Sequence, residues 1–152
     1  MSEVEVELCI IDPEARPDAL KRAVQFLVEQ EVVFGDDTED TLEVLQAADS
    51  STVEAVVGDE LVGVGVLDCF TASWGKRVPE IGYIAVDTKY RRQGIARRML
   101  GVLEGMAAEA GHDTVYHYPP SQAEAVFERL GYKKSSVPGY TSFMSKLLNG
   151  AS

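Results

Sequence analysis

The sequence is poor in cysteine, in lysine and, over its first sixty residues, in basic charge of any kind. Only Cys9 and Cys69 occur in 152 residues, and they form no CxxC or Cys/His ligand spacing. A disulfide framework and a cysteine-based metal site are thereby excluded, and no metal is expected. Each cysteine lies in an apolar, strand-like run, which predicts two buried free thiols. No apolar stretch approaches the ~18 residues of a membrane span. The start, Met1 to Glu5, lacks the basic and apolar regions of a secretory leader. The chain therefore reads as cytoplasmic, with no membrane partner.

What is abundant is acid. The chain holds 25 Asp and Glu against 14 Lys and Arg, of which six are lysines, for a net charge of −11. Residues 1–60 carry 17 acids and three bases, Arg16, Lys21 and Arg22. A chain this acidic lacks the basic face that nucleic acid binding needs. The excess fits a halophile's protein, kept soluble in concentrated salt by its charge, as well as it fits solvated helix faces. Residues 61–152 reverse the balance, with eight acids and 11 bases. Five of those bases fall within ten residues: Lys89, Arg91, Arg92, Arg97 and Arg98.

The length suits a single domain, 1–152, able to bury ~70% of its unfolded surface in one core. Apolar residues make up 45% and charged residues 26%, the balance of a folded rather than a disordered chain. Acids alternate with Val4, Val6 and Leu8, predicting a half-buried strand over 3–11. Leu20, Ala23, Val24 and Leu27 recur at helical spacing, predicting a helix over 18–31, and acids at 36–40 open a second one. Two Val-rich runs, 52–57 and 60–70, flank Gly58-Asp59 as a hairpin. Gly63 and Gly65 inside the second run signal a bulge or a close backbone approach. A loop over 72–78 and a strand over 80–86 follow. A long helix spans 94–110 and a short strand 114–118. A helix opens at the capping box Ser121-Gln122-Ala123-Glu124. Strands over 132–137 and 140–148 join at Pro138-Gly139. The order β-α-α-β-β-β-α-β-α-β-β describes a mixed α+β domain around one main sheet.

The stretch from Glu80 to Arg98 carries the chemistry. An apolar strand runs into a basic turn, and the turn opens a long helix at Gly94. First-turn amides of a helix have no intrahelical acceptor, and the helix dipole adds positive potential there. Gly94 and Ala96 leave space for a phosphate, and four arginines flank it. Positive charge at a helix N-terminus is unfavourable on its own, so an anionic ligand gives the arginines a reason. Neither GxxxxGK[ST] nor GxGxxG occurs, which argues against a nucleoside triphosphatase or a dinucleotide-binding unit.

Arg91-Arg92-Gln93-Gly94-Ile95-Ala96 matches the Arg/Gln-x-x-Gly-x-Gly/Ala signature of the GNAT superfamily of N-acetyltransferases. Phe127-Glu128-Arg129-Leu130-Gly131-Tyr132 resembles that family's helix-ending Leu-Gly-aromatic element. The order of elements agrees along essentially the whole chain. The resemblance implies a mostly antiparallel central sheet, splayed between its fourth and fifth strands and flanked by about four helices. It implies acetyl-CoA as acyl-donor co-substrate. Gln93, Gly94, Ile95, Ala96 and Arg97 would hold its pyrophosphate through their amides, with Arg91, Arg92 and Arg98 alongside. The main chain of Ile84, Ala85 and Val86 would pair with the pantetheine arm and polarise the thioester.

The implied reaction is direct acetyl transfer to a primary amine, whose proton a base must remove. Glu80, at the start of the fourth strand, is the first candidate base and His117, on the fifth, the second. Each also has a plain structural reading, as a strand-end acid and a structural histidine. Relatives often place a Tyr where Phe127 stands, so the usual general acid is missing; Tyr132, at a position that packs in relatives, Tyr118 and Tyr140 are candidate donors, or the thiolate leaves unassisted or through water. The acidic residues 18–50 would suit a cationic acceptor, whether a small molecule or a protein amine. Two other classes stay open: an acyl-CoA-binding sensor or docking module without turnover, and a nucleotide-binding regulator. The last strand, Tyr140 to Leu148, offers an edge for a homodimer or a plain sheet edge.

Overall fold

The computed structural model describes residues 5–120, 123–137 and 140–148. Ser121 and Gln122 of the expected capping box, and the expected turn Pro138-Gly139, lie outside the described residues. Seven strands form one sheet in the order β1-β2-β3-β4-β5-β7-β6. They are β1 (Glu7–Ile10), β2 (Ser51–Val57), β3 (Glu60–Thr71), β4 (Arg77–Val86), β5 (Thr114–His117), β6 (Lys133–Val137) and β7 (Tyr140–Leu147). Every neighbouring pair is antiparallel except β4 and β5, which run parallel.

Helices α1 (Pro17–Glu29) and α2 (Thr38–Gln46) cover one face, and α3 (Ile95–Glu109) and α4 (Glu124–Arg129) the other. Helix α1 starts with Pro17, whose missing N–H costs nothing at that position. Its apolar stripe, Leu20, Ala23, Val24 and Leu27, meets Val64 and Val66 of β3. On the opposite face Met99, Leu100 and Leu103 of α3 pack on Val53, Ala55, Leu67 and Ile81. Arg16, just before α1, forms a 2.6 Å ion pair with Glu54, a carboxylate that β2 buries.

Gly63 and Gly65 are where α3 comes close. A Cβ at Gly63 would stand 3.0 Å from Met99 Cε, and one at Gly65 3.1 Å from Leu103 Cδ1 and 3.3 Å from Val53 Cγ1. Gly65→Val should therefore overpack the α3 face and lower stability by about 1–3 kcal/mol, read as a lower urea midpoint.

The structure revises some expected boundaries. Strand β4 begins at Arg77, so the loop between β3 and β4 shortens to 72–76. A single 3₁₀ turn, Gly35–Asp37, precedes α2. Cys9 is exposed rather than buried, because β1 is an edge strand and its outward residues face solvent. Cys69 is half-buried, with Sγ 4.0 Å from His112 Nε2.

Candidate functional site

Strands β4 and β5 meet only briefly. Their register pairs Glu80 with Tyr116 and Ile81 with His117, and then stops. Strand β5 ends at His117, while β4 continues to Val86. Beyond Ile81 that edge of β4 has no strand partner among the described residues, so the sheet opens into a wedge lined by the main chain of residues 82–86. The other edge stays paired to β3, where Gly65 opposes Ile84, Val64 opposes Ala85 and Gly63 opposes Val86. Ile84 packs on the α3 face and Ala85 on the α1–α2 face.

The basic turn lies at the open end of this wedge. A 3₁₀ turn, Thr88–Tyr90, is pinned by Asp87 Oδ1, which accepts from the Lys89 amide at 2.9 Å. Arg92 then adopts φ +68° and Gly94 φ +79°. A left-handed arginine costs roughly 1 kcal/mol, so the rest of the turn imposes it. Left-handed residues in a tight turn let successive amides converge on one concavity. The first bond of the following helix runs from the Arg98 amide to the Gly94 carbonyl at 3.0 Å. The amides of Ile95, Ala96 and Arg97 therefore precede the helical ladder. A Cβ on Gly94 would find nothing within 4 Å, so the space before the turn is open.

The arginines divide into two kinds. Arg91 Nε donates to the Val86 carbonyl at 3.1 Å, and Arg98 Nη2 to the Val6 carbonyl at 3.2 Å. Arg91 is thus tied to the end of β4 and Arg98 to the segment before β1, while both remain exposed. Arg92, Gln93 and Arg97 are exposed too. No acid occupies the first turn of α3. The arrangement is a positively charged main-chain cradle, fit for a pyrophosphate.

Glu80 and His117 sit at the vertex of the wedge, but on opposite faces. His117 shares its face with Val115, Phe127 and Met144. It is 6% exposed, and its Nδ1 lies 2.7 Å from the Ile81 carbonyl. A carbonyl can only accept, so Nδ1 carries the proton. Burial pushes the imidazole pKa down, which keeps it neutral and leaves Nε2 unprotonated. Phe127 stacks against the ring at 4.2 Å between centroids.

Glu80 is half-buried on the α1–α2 face. Directly across the β3–β4 ladder stands Asp68, the one charged residue in the apolar run 61–70. A one-residue shift in register leaves Gly82 unmatched, and the Asp68 carboxylate lies over it. A Cβ at Gly82 would be 3.0 Å from Asp68 Oδ1 and 3.1 Å from Oδ2. Asp68 Oδ1 is buried without a hydrogen-bond partner among the described residues. Burial, and then the charge and hydrogen bonding of Asp68, push Glu80 up to about 7. Burial raises Asp68 itself to about 6. The sequence reading missed Asp68; its signal was a lone acid inside an otherwise apolar strand.

Tyr132 stands apart from this cluster. It is 1% exposed, and its hydroxyl donates to Glu104 Oε2 at 2.8 Å. Lys146 Nζ donates to the other oxygen of Glu104 at 3.0 Å. Burial and the Glu104 charge hold the phenol well above its usual range. Tyr118, by contrast, is 57% exposed and packs edge-on against Phe143.

Strands β4 and β5 thus part after two paired residues, with the basic turn beyond the free end of β4. The model of the acetyltransferase (GNAT) family matches residues 20–132, and the chain belongs to that family. Solved structures agree on the fold. An aminoglycoside acetyltransferase from an uncultured soil metagenomic sample is 16% identical, with 88% of this chain and 95% of that one covered, at a TM-score of 0.71. A GNAT-family acetyltransferase from Staphylococcus aureus Mu50 is 14% identical over 95% and 100%, also at 0.71. A putative acyl-CoA N-acyltransferase from Klebsiella pneumoniae is 21% identical over 96% and 99%, at 0.65. No curated protein matches the chain. Among the described residues no helix is long and apolar enough to cross a membrane, and no group of His, Cys, Asp and Glu could hold a metal ion.

Proposed function

We propose that this protein is an N-acetyltransferase that moves an acetyl group from acetyl-CoA directly to a primary amine. The observation that carries the reading is the alignment of three features along β4: the cradle, the open edge and an acid with raised pKa at the vertex. The amides of Gln93 to Arg97 would hold the pyrophosphate, with Arg92 and Arg97 free to close on it. Residues 84–86 would hold the pantetheine arm along the unpaired edge. Acetyl-CoA supplies the activated acyl carbon.

The chain's own part is to orient and to move a proton. Glu80 is the base of this proposal. An alkylammonium has a pKa of ~10.4. A carboxylate held near 7 lies closer to that value than an ordinary one near 4.5, so it takes the proton with less uphill cost. His117, committed to Ile81, shapes the vertex from the other face. No thiol lies on the open edge of β4, which favours transfer without an acyl-enzyme. Acceptor binding falls to the α1–α2 face. There a cleft of about 240 Å³ is lined by Val33, Phe34, Asp37, Asp40 and Tyr83. Its acids suit a cationic amine.

The test is a thermal-shift screen with CoA thioesters, followed by thiol release over a panel of primary amines. Stabilisation by acetyl-CoA and amine-dependent release of CoA are expected. Phe127 carries no proton where relatives often have a Tyr, which favours a second reading as a non-catalytic acyl-CoA sensor. Binding without release across the panel would select that reading.

Tyr132 gives a further check. Tyr132→Phe should lower stability by about 1 kcal/mol through the lost bond to Glu104, and leave turnover within twofold. A tenfold loss of turnover would return the phenol to the chemistry.

A further inference from the structure

The Asp68 carboxylate lies in a place that packing alone does not explain. It interrupts an apolar strand, directly across the ladder from Glu80, and it leaves one oxygen buried and unpaired. Gly82 is the residue that admits it, since any side chain there would meet both carboxylate oxygens. A half-buried carboxylate with one oxygen sealed from water is unfavourable unless it is protonated or partnered. Among the described residues no cation forms an ion pair with it. Arg77, at the start of β4, is turned to Asp49, Thr71 and the Cys69 carbonyl. Neither Asp68 nor Glu80 belongs to an ion pair among the described residues. The other titratable groups of this face are Tyr116 beside Glu80 on β5, Tyr83 further along β4 with Asp37 and Asp40 in the α1–α2 cleft, and Glu54 on β2, which is paired to Arg16; His117 and Cys69 belong to the opposite face.

We propose that Asp68 is a positioning residue which, with Glu80, forms one proton-sharing carboxyl pair and so keeps Glu80 able to accept a proton at neutral pH. This rests on Glu80 being the base of the acetyl transfer proposed above. Two carboxylates in adjacent register cannot both ionise easily, so the first proton to leave makes the second harder to remove. The pair with one proton is the resting form on the acid side of neutrality, with Glu80–OH donating to the Asp68 carboxylate. Loss of the second proton yields the competent base. In the reaction an N–H bond of the ammonium breaks, an O–H bond forms on Glu80, and Asp68 accepts that hydroxyl's hydrogen bond. The pair returns to its singly protonated form. Asp68 touches neither donor nor acceptor; it acts through Glu80.

The experiment is a pH titration of side-chain carboxyl carbons by NMR, in the full chain and in Asp68→Asn and Glu80→Gln. In the unmodified protein both carboxyls should titrate well above the ordinary range, each sensing the other. In Asp68→Asn the Glu80 midpoint should fall by at least one pH unit, whereas in Glu80→Gln the Asp68 midpoint should not fall, because burial raises it and the hydrogen bond from residue 80 lowers it. A Glu80 midpoint that stays put in Asp68→Asn overturns the proposal. So does an ordinary Glu80 midpoint in the unmodified protein. A second readout is the pH dependence of CoA release from acetyl-CoA with an amine from the panel. Asp68→Asn should move the acid limb down by the same interval and lower kcat, with KM for acetyl-CoA unchanged. An unmoved limb in an active variant also overturns it. Absence of any CoA binding or release would instead sink the transferase reading, and the carboxyl titration decides the pairing regardless.

Discussion

Glu80→Gln is expected to lower kcat by a factor of 10²–10⁴, the usual worth of a general base. Acetyl-CoA affinity should stay within about twofold, because Glu80 lies at the vertex of the wedge and not in the cradle. The pH profile should change as well. In the unmodified protein kcat/KM should rise with pH through about 7, as Glu80 loses its proton, and the variant should lose that limb. The same substitution has a stability signature of opposite sense. A carboxyl raised from 4.5 to about 7 on folding adds stability that is fully present below the unfolded pKa and lost as pH rises through about 7. The ionised pair therefore weighs on the fold above neutrality. Glu80→Gln should raise stability at pH 8 by on the order of 1 kcal/mol, discounted for partial exposure, and show no gain at pH 4. Thermal melts at the two pH values check this. A variant that keeps its kcat and its acid limb would remove Glu80 from the mechanism.

Gly94→Glu is expected to abolish acetyl-CoA binding, a loss of at least 100-fold in Kd by calorimetry. Two effects add. The carboxylate would stand where a pyrophosphate should sit, opposing it with like charge. The left-handed φ of +79° also strains any residue with a Cβ, at about 1 kcal/mol. The fold should survive, since nothing stands within 4 Å of the new Cβ. Gly94→Ala separates the effects: it carries the strain without the charge, and should lose far less affinity. Unchanged affinity in Gly94→Glu would mean that the anion site lies elsewhere.

These two residues were visible in the sequence for different reasons. The cradle is contiguous: Arg91 to Arg98 adjoin in the chain, and a glycine before a helical apolar pattern announces the turn. Glu80 could be nominated, but its environment could not. Its pairing with Asp68 depends on the β3–β4 register and on the single unmatched residue at Gly82, neither of which leaves a local trace. The same holds for Tyr132, whose hydroxyl goes to Glu104 on α3, 28 positions earlier. Gly63 and Gly65 were legible as a close approach, and α3 supplies it. Cys9 misled because an apolar run looks alike at a sheet's edge and at its centre. Alternation did separate His117 from Tyr116 and Tyr118: the ladder pairs His117 with Met144, while both tyrosines pack on Phe143. The splay itself was expected from resemblance; Pro119-Pro120 marks the end of β5 in the sequence, but nothing there gives its register against β4.

The opposed charges of the two halves fit this account. The bases of residues 61–152 gather at the cradle, and acids of residues 1–60 line the cleft on the α1–α2 face. A donor with phosphates and an acceptor with positive charge would approach from different sides of β4.

The most direct test of acetyl transfer is the release of free CoA from acetyl-CoA at pH 8, followed with and without each amine of a cationic panel, with the product mass measured. The account predicts amine-dependent release, one CoA for each amine gaining an acetyl group, and loss of that signal in Glu80→Gln. Acetyl-CoA that binds tightly yet releases no CoA with any amine, or CoA released at the same rate without amine, would contradict it.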